Sequence, residues 1–290
     1  MAGMGHAEDE ITPFLKARRA ALDAAALGLP DGIARRRVRG LRREEVAQLA
    51  GISVDYYTRI EQGRAPAISD AVLDAVARAL HLTSAEHTYL RNITAPGRRA
   101  GRGTCEGSGP RPEVRPQIRE LLDAMGDVVP AFVYGPGMDL LAWNRLAGRL
   151  SFDFDALTGA DLNFAQLIFL RPEARVLYPE WENVAEGIVA ILRSEAGQHV
   201  GRARVREVIC DLREASEEFR RFWGEQTVLD PDIGTKHIRH PEVGDLMVTF
   251  ESFPLPTDPG QRLCTYTAPN GSATEERLRM LADRVGAGVA

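Results

Sequence analysis

Across the first 95 residues apolar side chains recur three and four positions apart, the spacing of one buried face of a helix. Ile11, Phe14, Leu15, Ala21, Leu22 and Ala25 predict a helix over 10–26, and Val46, Ala47, Leu49 and Ala50 a second over 43–50. Ser69 is placed to cap a helix with Val72, Leu73, Val76 and Leu80 on one face, and Thr83 followed by Glu86 makes a capping box for another. No alternating run precedes residue 128, so four or five short helices and an all-α unit are expected.

The pattern then changes twice. In PGRRAGRGTCEGSGPRP, residues 96–112, Gly, Pro and Arg fill 12 of 17 positions and no apolar period exists to bury, which predicts a flexible linker between a 1–95 domain and a 113–290 domain. Beyond it helices are predicted at 113–126, at 181–195 and at 203–223, with strands in AFVYG, MDLLAW, KHIRH, GDLMVTFESF and RLCTYTA. The last three strands, joined by short turns containing Pro or Gly, predict an antiparallel meander, and the whole an α+β domain with helices packed on one sheet.

Composition narrows the class. A hydrophobic fraction of 44% and a charged fraction of 27% are those of a globular protein. No apolar run approaches the roughly 20 residues that span a bilayer, and MAGMGHAEDEITPF lacks the basic end and apolar stretch of a signal peptide, so a cytoplasmic protein with no membrane partner is expected. Cys105, Cys210 and Cys264 are odd in number and widely separated, which predicts reduced thiols rather than a disulfide framework or a zinc site, and no cofactor is expected. The net charge of −5 hides an asymmetry: residues 1–112 hold 17 Lys+Arg against 13 Asp+Glu, and the rest of the chain 19 against 28. The basic part is the one that can approach a polyanion.

The basic run RRRVRGLRREE leads into GISVDYYTRIEQG, residues 51–63, which holds only one arginine. Its spacing is that of a helix-turn-helix: Ala47 permits a close helix crossing, Gly51 supplies a turn with positive φ, and Tyr57 and Ile60 fall inward on the second helix, packed with Val46 and Leu49. Ser53 then caps a helix whose first turn faces a major groove. Val54, Asp55, Tyr56 and Arg59 share its outer face as base-reading candidates: Arg59 suits guanine, Asp55 a cytosine amino group, Val54 a thymine methyl, and Tyr56 a phosphate or base through its hydroxyl. Phosphate-contact candidates are Arg35, Arg36, Arg37, Arg39, Arg42, Arg43, Ser53, Gln62 and Arg64. Any one of these arginines reads equally well as a solvated surface charge; the group beside this turn favours double-stranded DNA.

RRRVRGLRREEVAQLAGISVDYYTRIEQGR closely resembles the DNA-binding domain of actinobacterial XRE-type regulators of the MmyB-like group. The resemblance continues through AVLDAVARALHLTSAEHTYL and, more thinly, through DLLAWNRLA, FLRPEARVLYPEW, SEEFRRFW and GTKHIRHPEVGDL. It implies a lambda-repressor-like five-helix domain, then a PAS-like domain with an antiparallel sheet that binds a small lipophilic molecule, and a homodimer on a repeated DNA site.

Candidate ligand contacts are Asn144 and Arg171 for a head group, an arginine suiting a carboxylate, with Trp143, Phe169, Tyr178 and Trp181 as the wall; Arg145 and His237 are weaker candidates. Each reads also as core or as the end of an element. The rival reading is a ligand-free dimerisation or protein-partner module. Catalysis is not expected: GxSxG, P-loop, HExxH and dinucleotide motifs are all lacking, and His237 and His240 are three apart in a predicted strand and so face opposite ways.

Overall fold

The structure, a computed structural model, describes residues 5–23, 40–65, 67–94, 111–126, 128–196, 201–226 and 232–287. It divides into two compact units, one drawn from Met1–Thr104 and Glu225–Leu229 and the other from Cys105–Gly224 and Asp230–Ala290. Residues 96–110 of the expected linker lie outside the described residues.

Five helices make the described part of the first unit: α1 (Gly5–Ala21), α2 (Arg43–Ala50), α3 (Val54–Glu61), α4 (Asp70–Ala79) and α5 (Ser84–Thr94). Their apolar faces meet in one core in which Phe14, Val46, Ala47, Tyr57, Ile60, Val76 and Leu90 are wholly buried, and Phe14 meets Tyr89 edge-on at 5.0 Å. The expected caps form. Ser69 Oγ accepts from Val72 N–H at 3.4 Å, while Thr83 and Glu86 exchange both bonds of a capping box, at 2.7 and 3.3 Å. The helix expected over 10–26 begins earlier and ends at Ala21, which is exposed; Leu22 is half-buried and Ala25 lies outside the described residues. Leu49, expected in the core, is 44% exposed, because the buried stripe of α2 runs through Val46, Ala47 and Ala50 and leaves it one step around the helix.

The second unit is the expected α+β domain. Strands β1 (Ala131–Tyr134), β2 (Leu140–Trp143), β3 (Ile233–His240), β4 (Gly244–Pro254) and β5 (Arg262–Thr267) form one antiparallel sheet in the order β2-β1-β5-β4-β3. The last three are the predicted meander, and the helices inserted between β2 and β3 complete the PAS-like arrangement. Helix α6 (Pro116–Met125) covers one face through Ile118 and Leu122, against Ala131, Val133 and Leu263. The other face, carrying Phe132, Tyr134, Ile238, Val248, Cys264 and Tyr266, packs under α7 (Ala147–Leu150), α8 (Phe164–Leu170), α9 (Glu173–Leu177), α10 (Trp181–Ala196), α11 (Arg202–Ala215), α12 (Glu217–Gly224) and α13 (Ala273–Ala287). The period-two alternation of strand side chains sorts the two faces.

The single helix expected over 203–223 is two. Ser216 adopts extended backbone (φ −127°, ψ 123°), and its Oγ accepts from Phe219 N–H at 3.1 Å. A serine that can cap a new helix competes with continuing the old one, and the apolar period, unbroken across it, does not report the break.

Candidate nucleic-acid interface and ligand site

The turn between α2 and α3 is built as the spacing requires. Gly51 holds φ 68° and ψ 31°; its N–H reaches Gln48 O at 3.2 Å and that of Ile52 reaches Ala47 O at 3.0 Å, the paired bonds that close a helix through a left-handed residue. Ser53 Oγ then accepts from Tyr56 N–H at 3.2 Å and starts α3. Tyr57 and Ile60 are wholly buried, which fixes the rotation of α3 and turns Val54, Asp55 and Arg59 to solvent. Arg59 Nη2 lies 3.1 Å from Asp55, an exposed pair one helical turn apart that holds the guanidinium along the outer face.

A buried charge cluster fixes this unit. Glu61, 0% exposed, receives Arg19 Nε at 3.0 Å and Arg43 Nε at 2.8 Å, while Thr12 Oγ1 donates to its carbonyl at 2.8 Å. Burial first, and the Glu61 carboxylate second, push the Tyr57 phenol above its ordinary value. Gly40 packs so closely that a Cβ would stand 2.7 Å from Ala20 Cα, and Leu41 N–H binds Arg19 O at 2.9 Å. The end of the arginine-rich segment is thereby pinned to α1. Nothing in the motif spacing distinguished Glu61 from a surface carboxylate; only its place at the closing turn of α3 hinted at burial.

Two DNA-contact expectations change. Arg43 points into the cluster with Glu61 rather than standing as a phosphate ligand. Tyr56 is half-buried against the core, and its hydroxyl donates to Ala67 O at 3.4 Å, so it is not the outward group expected. Arg42 and Arg64 are exposed at the two ends of the motif, Gln62 is half-buried as the C-cap of α3, and Arg35, Arg36, Arg37 and Arg39 lie outside the described residues.

In the second unit the expected head-group residues do not converge. Asn144 is 3% exposed with its amide saturated: Oδ1 accepts from Ala131 and Ala147 N–H at 3.1 and 3.0 Å, and Nδ2 donates to Gly126 O and Val129 O at 3.0 and 2.7 Å. It ties β1 to the end of β2 and has no valence for a ligand. Arg171 is exposed and paired with Asp161 at 3.1 Å, because α8 ends there and turns it outward. Trp181 donates to Ile168 O at 2.9 Å and packs with Phe169 and Phe222 under the Arg175 guanidinium; Phe169 in turn meets Phe219, a core cluster of four rings. Trp143 donates to Asp155 at 2.8 Å beside Phe154. Tyr178 is wholly buried, and burial raises its hydroxyl above the ordinary value. Arg145 is exposed, and His237 pairs with Asp245 at 3.0 Å on the sheet's outer face.

Two other constellations emerge on the helix-covered face. Lys236 alternates with Ile238 and so points inward; its Nζ lies 4.6 Å from the Phe250 ring centre, 5.3 Å from Phe164 and 5.5 Å from Tyr266, and donates to Tyr266 Oη at 3.2 Å. No carboxylate pairs with it among the described residues, and burial lowers its pKa from the usual lysine value. The period-two pattern of KHIRH held that signal. The second is a cavity of about 110 Å³ lined by Tyr134, Ile191, Glu195, Leu255, Gln261 and Arg262, among others, where α10 meets the turn between β4 and β5. The sequence offered no sign of it, because its polar groups come from three distant segments.

A capped helix-turn-helix followed by an α+β domain is the arrangement of a DNA-binding regulator with a ligand-binding domain. A family model described as "Helix-turn-helix domain" matches residues 14–90, and one described as "MmyB-like transcription regulator ligand binding domain" matches residues 114–281, more than half of the chain. The chain belongs to the MmyB-like transcription regulators. This supports a ligand-binding second domain over a ligand-free module. No curated protein matches the chain. A solved structure titled "Structure of an RNA-binding Light-Oxygen-Voltage Receptor" aligns at 15% identity over 98% of this chain, with a TM-score of 0.22, a likeness too slight to bear on function; the chain spans 64% of that structure's length. No described helix is long and apolar enough to cross a membrane.

Proposed function

We propose that the chain is a sequence-specific transcription regulator that binds a repeated DNA site as a homodimer, and that a small lipophilic or carboxylate-bearing molecule in the second domain changes its hold on DNA. The observation that carries the DNA half is the outer face of α3: Tyr57, Ile60 and Glu61 are locked inward, so Val54, Asp55 and Arg59 stand free of the core at the helix a groove would receive. Arg42, Arg64, Gln62 and the arginines at 35, 36, 37 and 39 supply phosphate contacts, with Ser53 offering its backbone end of the helix. The ligand half rests on the Lys236 ammonium, held in an aromatic box with no carboxylate partner among the described residues, where an anionic head on an apolar body finds both of its complements. No catalytic step belongs to this reading.

Native mass spectrometry of the full chain, compared with its denatured mass, tests the ligand half. An added noncovalent mass that is absent from Lys236→Met supports it. A bound mass retained by that variant moves the head group elsewhere, and added ligand that leaves operator affinity unchanged removes the regulatory link.

A further inference from the structure

The cavity beside α10 is a different site from the Lys236 box, and its polar groups are unevenly served. Gln261 is 6% exposed, and its amide orientation is fixed: Nε2 donates to Glu113 O at 3.0 Å, an acceptor that only the nitrogen can meet. Oε1 is therefore the other atom, and it is buried with no hydrogen-bond partner. Glu195 accepts one bond, from Gly137 N–H to Oε2 at 2.7 Å, and no cation stands within ion-pair distance of it among the described residues. The nearby Arg262 is committed elsewhere, through Nε to Ser252 Oγ at 3.0 Å and through Nη2 to Ser252 O at 2.9 Å and to Asp232. Tyr134 Oη shares Ser252 Oγ at 2.9 Å. The cavity thus presents one buried acceptor without a donor, Gln261 Oε1, beside a Glu195 carboxylate that accepts a single bond, and Ile191, Pro254 and Leu255 add apolar wall. An unmet buried acceptor is costly, so the occupant that fits is one that donates.

We infer that this cavity binds a small molecule through a nitrogen head group with at least two N–H donors, a primary ammonium or a primary amide, bridging Glu195 and Gln261 Oε1. The raised carboxyl of Glu195, about 7, agrees with an anion lacking its counterpart. A cavity of about 110 Å³ is smaller than the ~150 Å³ that accommodates benzene, so it receives a head group of about four or five heavy atoms or a molecule of that size. The inference adds a polar site to the domain's ligand-binding role and does not depend on what occupies the Lys236 box.

The test is calorimetric titration of the full chain with three probes of four or five heavy atoms: n-propylamine, propionamide and propionate. Saturable binding of the amine or the amide, in about the millimolar range for so small a ligand, with none for propionate, is expected. Glu195→Gln keeps the acceptor for Gly137 N–H and turns an amide nitrogen towards Gln261; it is expected to weaken propylamine about tenfold or more. Gln261→Met is expected to weaken both amine and amide. Equal binding of all three probes, no saturable binding of any, or unchanged affinities in both variants overturns the inference. None of these readouts involves DNA, so such a failure leaves the regulatory reading to its own operator-release experiment.

Discussion

Glu61 and Arg43 form an ion pair at 2.7 Å in which the carboxylate is wholly buried and the arginine closes over it from the first turn of the preceding helix. With Arg19 on the other oxygen, the pair ties α1, α2 and α3 together at the base of the reading helix. Glu61→Gln is expected to cost about 2–3 kcal/mol, less than a fully buried unpaired charge because both guanidiniums reach water. Chemical denaturation of the full chain checks this. Arg43→Ala is expected to lower stability and to leave the dependence of DNA affinity on salt unchanged; a slope smaller by about one unit would return Arg43 to the phosphate contacts.

Asp55→Ala separates specificity from stability. The Asp55–Arg59 pair is exposed on both sides, so its loss is expected to change stability by less than about 0.5 kcal/mol. Discrimination at one base pair is expected to change by about 1–3 kcal/mol, read by titration against single-base variants of the preferred duplex. Equal effects on every duplex would make Asp55 only a support for Arg59.

Asn144→Leu removes an amide that makes four hydrogen bonds and strands the N–H groups of Ala131 and Ala147. A loss of about 2–4 kcal/mol is expected in thermal denaturation, with small-molecule affinity of the folded fraction retained. Retained stability with lost ligand affinity would restore Asn144 to the head-group site.

Glu195 sets a pH dependence. Burial first raises its carboxyl from 4.5 to about 7, Asp139 adds to the rise, and Gly137 N–H and Arg262 oppose it. The folded chain then binds more protons than the unfolded one between about 4.5 and 7, so this group's contribution is full below that window and is lost as pH rises through it. Glu195→Gln is expected to flatten that decline, measured as unfolding midpoint against pH. An unchanged profile would assign the decline to other groups.

Local rules were enough for the motif and the sheet. Gly51, Ser53, Thr83 and Glu86 act through neighbours a few residues away, and the alternation of β3, β4 and β5 reports directly which side chains face the helices. Long-range contacts were hidden. Glu61 is buried because Arg19 and Arg43 converge from two other helices, and Asn144 is saturated by carbonyls 15 and 18 residues earlier. The aromatic positions chosen as a pocket wall fill a core because pocket and core share one composition, and only packing tells them apart. Lys236 and Glu195 needed the same packing before an inward lysine and a lone carboxylate could be recognised.

Whether α3 reads DNA sequence is decided by selection from a random duplex pool by the full chain, repeated with Arg59→Ala. An enriched repeated motif is expected for the natural chain, and the loss of preference at one base pair of each half-site in the variant, with the rest retained. No enrichment by the natural chain, or an identical motif from both, would contradict sequence reading by α3.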